Sequence, residues 1–71
     1  MAESIYKVIE IIGTSPESWE KAARSAVEMA SKSLRDLRVA EVVEQDLVIT
    51  GGQVEAYRTK LKISFKYEGG D

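Results

Sequence analysis

The sequence predicts an α+β fold of three antiparallel strands and one helix in the order β-α-β-β. Three features carry that prediction. A β-branched segment runs into Gly13-Thr14-Ser15-Pro16. One stretch repeats its apolar residues every three or four positions. Two long strand-like segments flank Gly51-Gly52.

Ile5 to Ile12 reads as the first strand, closed by the Gly-Thr-Ser-Pro break. Ser15 is then expected as the helix N-cap, Pro16 as the first helical residue and Glu17 as the acid of the positive first turn. Trp19, Ala22, Ala23, Ala26, Val27, Ala30, Leu34 and Leu37 form one apolar stripe, which predicts a helix from Pro16 to Asp36. Val39 to Thr50 suits a long second strand, with a bulge expected near Gln45-Asp46. Gly51-Gly52 signals a hairpin. Beyond it, Tyr57, Thr59, Leu61, Ile63, Phe65 and Tyr67 alternate with Arg58, Lys60, Lys62, Ser64 and Lys66. The natural place for the first strand is beside the third, with the helix over one face, and residues 68–71 are expected to fray.

Residues 1–71 are expected to make a single small domain. A chain of this size buries only about 60% of its unfolded surface, so small folds usually need a staple. With no Cys and no His, disulfides, thiolate metal sites, zinc fingers, Ser-His triads and Cys-His nucleophiles are excluded. Association of identical chains is the staple that remains. A net charge of −2 is too acidic for a protein that grips nucleic-acid phosphates. The longest apolar run, Val8 to Ile12, contains Glu10 and falls far short of a membrane span. Ala2, Glu3 and Ser4 form neither a basic nor an apolar leader region, so no signal peptide is expected, and a soluble, cytoplasmic oligomer is the expectation.

Several residues are candidates for chemistry. Glu41, Glu44 and Asp46 are oxygen donors of the kind calcium prefers, although no EF-hand loop is present. In a symmetric assembly, carboxylates from several chains could converge on an axis. The competing reading makes them salt-bridge partners for Arg58 and Lys60. The basic row Arg58, Lys60, Lys62 could attract a phosphate, or could stitch strands through Glu10 and Glu41. Gly13 to Pro16 lacks the pattern that phosphate loops need. Trp19 on the apolar stripe reads as a core or interface anchor. No carboxylate pair stands out for acid–base work, so an enzyme is not expected.

Tyr6-Lys7-Val8-Ile9-Glu10-Ile11-Ile12-Gly13-Thr14-Ser15-Pro16 resembles the opening of a dodecin. Ala40-Glu41-Val42-Val43 and Tyr57-Arg58-Thr59-Lys60-Leu61-Lys62-Ile63-Ser64-Phe65 fit the same pattern, so the likeness extends from Tyr6 to Glu68. The resemblance implies a sheet partly wrapped around its helix, in a subunit that assembles through trimers into a hollow homododecamer. It also implies a storage or buffering role for a flavin (riboflavin, lumichrome or flavin mononucleotide) held at two-fold interfaces, with coenzyme A bound in some members.

By family position the ligand pocket falls on Val39, Glu44, Gln45 and Arg58. Two of these depart from the pattern. Where dodecins place a flavin-stacking Trp this chain has Val39, and where they place a Gln that reads the flavin edge it has Arg58. A Val has no π face, and stacking is worth about 1–3 kcal/mol per ring. An Arg only donates and carries a fixed charge. Many bacterial members also place an Arg where this chain has Asp46. The expectation is a retained shell with weakened or lost flavin binding. The segments around Arg38-Val39-Ala40 and Val43-Glu44-Gln45-Asp46 resemble a flavin-poor subgroup, one type of which binds calcium. A calcium- or coenzyme A-binding shell and a ligand-free structural oligomer stand as alternatives.

Overall fold

The computed structural model describes residues 3–67. Four elements follow in chain order: β1 (Tyr6–Ser15), α1 (Trp19–Ala30), β2 (Leu37–Thr50) and β3 (Gln53–Lys66). The sheet order is β1-β3-β2 with both pairings antiparallel, so β3 is the central strand and α1 covers one face. Fold class, element order and strand placement match the sequence-based expectation. The expected fraying of residues 68–71 lies outside the described residues.

Both helix boundaries differ from expectation, for identifiable reasons. The N-cap is Ser18, in extended conformation, whose Oγ accepts from the Lys21 backbone N–H at 3.0 Å. Ser15 instead ends β1 opposite Tyr57, and its Oγ accepts from the Glu17 N–H at 3.0 Å in a local turn. Pro16 and Glu17 therefore precede the helix, and Glu20 is the acid of its first turn. At the other end, Ser31 Oγ turns back to the Glu28 carbonyl at 2.8 Å, while Lys32 and Ser33 close tighter turns onto Met29 and Ala30. Such side-chain competition with the backbone favours ending a helix. Asp36, with φ 59°, redirects the chain into β2, so Leu37 faces Phe65 in the sheet and does not extend the helical stripe.

Gly13 sits where α1 crosses β1. A Cβ there would lie 2.2 Å from the Ala22 carbonyl oxygen and 2.9 Å from Ala26 Cβ, so the absence of a side chain lets the helix approach. Gly51 and Gly52 serve differently. Both have positive φ (59° and 78°), as a two-residue hairpin turn matched to strand twist requires.

Among the described residues Ala22, Ala26, Leu61 and Ile63 are the buried apolar side chains, and Ile9, Ile11, Ala23, Val27, Ala30 and Leu37 pack against the cluster of Ala26, Leu61 and Ile63. Thr59 is fully buried, and its hydroxyl donates to the Trp19 carbonyl at 3.0 Å. The β2–β3 hairpin extends well beyond this core. The radius of gyration is 14.8 Å with extents of 54 × 20 × 16 Å, whereas a compact chain of this length has about 11 Å. At the far end Ile49 and Val54 pair with each other and remain exposed.

The register of β2 against β3 slips between Leu37 and Val39, between Val42 and Glu44, and between Val48 and Ile49. The expected bulge near Gln45-Asp46 is thus corrected to Val43, with Gln45 and Asp46 in regular pairing with Thr59 and Arg58. One extra residue on a strand reverses which face its side chains occupy.

Candidate functional site

The slip at Val43 decides which side chains share the face away from α1. Residues directly opposite in a regular pair point to the same side of the sheet. Arg58, Lys60 and Lys62 of β3 alternate with buried Thr59, Leu61 and Ile63, and so form the spine of the outer face. Across β2 they meet Asp46, Glu44 and Glu41; across β1 they meet Thr14, Ile12 and Glu10. Without the extra residue, Glu41 and Glu44, three apart, would fall on opposite faces. With it, all three carboxylates of β2 line up on the cations of β3.

Arg58 and Asp46 form the tightest pair. Arg58 Nε donates to Asp46 Oδ1 and Nη2 to Oδ2, each at 2.7 Å. This two-point fit uses the planar guanidinium as a fork. Hydrogen bonding from Arg58 holds the Asp46 carboxyl below its ordinary range, and hydrogen bonding to Asp46 raises Arg58 in turn. Lys60 Nζ lies 3.4 Å from Glu44 Oε1, a looser contact whose carboxylate side chain is 64% exposed. Glu41, opposite Lys62, makes no ion pair among the described residues. Ile12, Glu44, Asp46, Arg58 and Lys60 line a small cleft of about 90 Å³ on this face.

The expected pocket residues are only partly brought together. Glu44 and Arg58 meet in the cleft, while Gln45, opposite buried Thr59, belongs to the helix-side face. Val39 is on the outer face, 60% exposed, opposite Ser64. Ser64 lies six positions beyond Arg58 in β3, about 20 Å along the strand. A single chain therefore cannot use Val39 and Arg58 on one small ligand. Nor, among the described residues, do three or more potential metal ligands gather as a group within one chain. No helix of the described residues is long and apolar enough to cross a membrane.

Ile12 has no place among the expected site residues, and Trp19 is expected only as an anchor of unspecified partner. Ile12 supplies the apolar wall of the cleft, and its place on the outer face follows from its pairing with Lys60. Trp19, half-buried, donates its indole N–H to the Asp46 backbone carbonyl at 3.1 Å and meets Tyr57 edge-on, with centroids 5.1 Å apart. It is an anchor, as expected, and what it anchors is the stretch of β2 that carries Asp46.

With this geometry in view, similarity to known proteins is informative. A calcium dodecin from Mycobacterium tuberculosis is 56% identical over 63 residues, covering 89% of both chains. The solved structure of a dodecin from Streptomyces coelicolor superposes with a TM-score of 0.91 at 38% identity, over 99% of this chain and all of that one. The crystal structure of the M. tuberculosis calcium dodecin, described as calcium-chelating with a novel calcium-binding site, superposes at 0.82 with 52% identity, over 96% and 97% of the two chains. The family model named Dodecin matches residues 5–68, and with these relatives spanning nearly the whole β-α-β-β subunit, the chain belongs to the dodecin family.

Proposed function

We propose that this chain is the subunit of a non-enzymatic, homododecameric binding shell that takes up calcium through outer-face carboxylates and holds flavin weakly or not at all. The observation that carries the reading is the row of carboxylates on one face of β2, with Glu41 and Glu44 only lightly engaged by cations of their own chain. Glutamate oxygens suit a hard divalent cation, which needs six to eight of them. One chain offers too few, so copies related by symmetry complete the site. Asp46, with both oxygens committed to Arg58, is the least available of the three.

Assembly is supported by surface. The chain exposes 5451 Å², against about 4,400 Å² for a compact monomer of its mass. Val8, Ile12, Val39, Val42, Ile49 and Val54 are each at least 49% exposed. Weak flavin binding is supported by Val39, which gives an isoalloxazine ring no π surface, and by the engagement of Arg58 with Asp46. The likeness to a relative named calcium dodecin favours calcium over coenzyme A.

Titration calorimetry of the purified assembly with calcium chloride, beside riboflavin fluorescence quenching, tests the reading. Saturable calcium binding that falls at least tenfold in the Glu41→Gln, Glu44→Gln double variant, with no quenching at micromolar riboflavin, is expected. Strong quenching and no calcium heat would overturn it. Sedimentation at or below a trimer would overturn the shell itself.

A further inference from the structure

The outer-face cleft contains two cations and two carboxylates, and each cation is matched. The two matches are unequal. Lys60 reaches Glu44 through one contact at 3.4 Å, whereas Arg58 gives both arms of its fork to Asp46 at 2.7 Å. A guanidinium presents its donors in a fixed plane, and the edge that reads carboxylates is the edge that reads phosphates. With its side-on Nε/Nη2 edge filled from within the chain, Arg58 keeps only the end-on Nη1/Nη2 edge, and the carboxylate of Asp46 beside it repels a ligand oxyanion. Trp19 strengthens the arrangement from the other side of the sheet, because its indole N–H holds the Asp46 backbone carbonyl.

We infer that Asp46 is the specificity-determining residue of this cleft: by filling the Arg58 fork it keeps phosphate-bearing ligands out of a site that otherwise has the cations to hold them. The inference rests on the reading of the outer face as the ligand-binding face, and it assigns Asp46 a role opposite to that of a calcium ligand. Removing its charge takes the cleft from zero to one net positive charge and exposes a fork next to Lys60, with Ile12 walling one side. Arg58 then becomes a donor for an oxyanion without any new residue.

The test uses intact assemblies of wild type, Asp46→Ala, Asp46→Asn and the Asp46→Ala, Arg58→Ala double variant, titrated calorimetrically with inorganic pyrophosphate at low ionic strength. Asp46→Ala is expected to bind at least tenfold more tightly than wild type, with an affinity that falls as salt is raised. The gain should vanish in the double variant, which leaves Lys60 in place. Asp46→Asn keeps the side-chain shape and removes only the charge, so it decides the matter should the alanine variant fail to assemble. Correctly sized variants that bind pyrophosphate no better than wild type, or a double variant that keeps the gain, would overturn the inference. Calcium titration of wild type is read separately. Its failure would sink the calcium reading, while the pyrophosphate comparison would still report on Asp46.

Discussion

Replacing Gly13 by Ala isolates the contact that seats the helix on the sheet. The added Cβ would stand 2.2 Å from the Ala22 carbonyl oxygen, 2.9 Å from Ala26 Cβ and 3.0 Å from the Ala22 carbonyl carbon. Two of those three atoms are backbone, so relief requires moving α1 bodily and cannot come from a rotamer change. Van der Waals contact between carbons lies near about 3.5–4.0 Å, so the helix must lift by roughly an ångström or more, which opens its contacts with Leu61 and Ile63 as well. Overpacking of this kind costs about 1–3 kcal/mol and occasionally more, and the rigid backbone opposite places Gly13→Ala at the upper end of that range. Gly51→Ala is the informative control. Nothing lies within 4 Å of its Cβ, but φ is +59°, so it should lose only about 1 kcal/mol through left-handed strain. Denaturant unfolding followed by circular dichroism, at fixed subunit concentration, compares the two. Equal losses, or a smaller loss for Gly13→Ala, would refute the argument that close approach and not conformation selects glycine at that position.

Trp19→Phe keeps an aromatic edge against Tyr57 but removes the indole donor to the Asp46 carbonyl. Equilibrium unfolding should show a loss of about 1 kcal/mol, the usual net worth of one hydrogen bond. The Arg58–Asp46 pair makes a prediction about pH. Because hydrogen bonding depresses the Asp46 pKa in the folded chain, its contribution to stability is present above the unfolded carboxyl pKa and is lost as pH falls through the folded value. Wild type should therefore exceed Asp46→Asn in stability near neutral pH, and the gap should close in acid, below the ordinary aspartate range. A gap independent of pH in thermal melts would mean that the pair acts through packing and not through charge.

Much of the fold was legible because each cue repeats. The alternation in β3 runs unbroken from Tyr57 to Phe65, and Gly51-Gly52 has one plain reading. The helix ends were misread because the apolar spacing continues through Leu34 and Leu37, which serve the loop and the sheet. What ends the helix is the local polar chemistry of Ser31 to Ser33 and the left-handed Asp36, and a periodicity argument is blind to both. Likewise, Ser15 and Ser18 are equally plausible caps by residue type. Ser15 is still paired with Tyr57 in β1, which leaves Ser18 as the cap.

The position of the bulge was written in the sequence, but in the charges and not in the hydrophobic pattern. The cations of β3 are spaced two and two apart, at Arg58, Lys60 and Lys62; the carboxylates facing them are spaced two and three apart, at Asp46, Glu44 and Glu41. An antiparallel ladder can match those two series only if β2 carries one extra residue between Glu41 and Glu44. Val42-Val43 suits either face of a strand and so gave no warning. The same extra residue puts Gln45 on the helix side and Arg58 against Asp46, so one slip in register sets which of the candidate residues share the outer face. Deleting Val43 should therefore do more than shorten a strand. The segment of β2 on one side of the deletion must turn over, exchanging either Glu41 for its apolar neighbours or Glu44 and Asp46 for Gln45 and Leu47, and the carboxylate row that the calcium reading depends on cannot survive it.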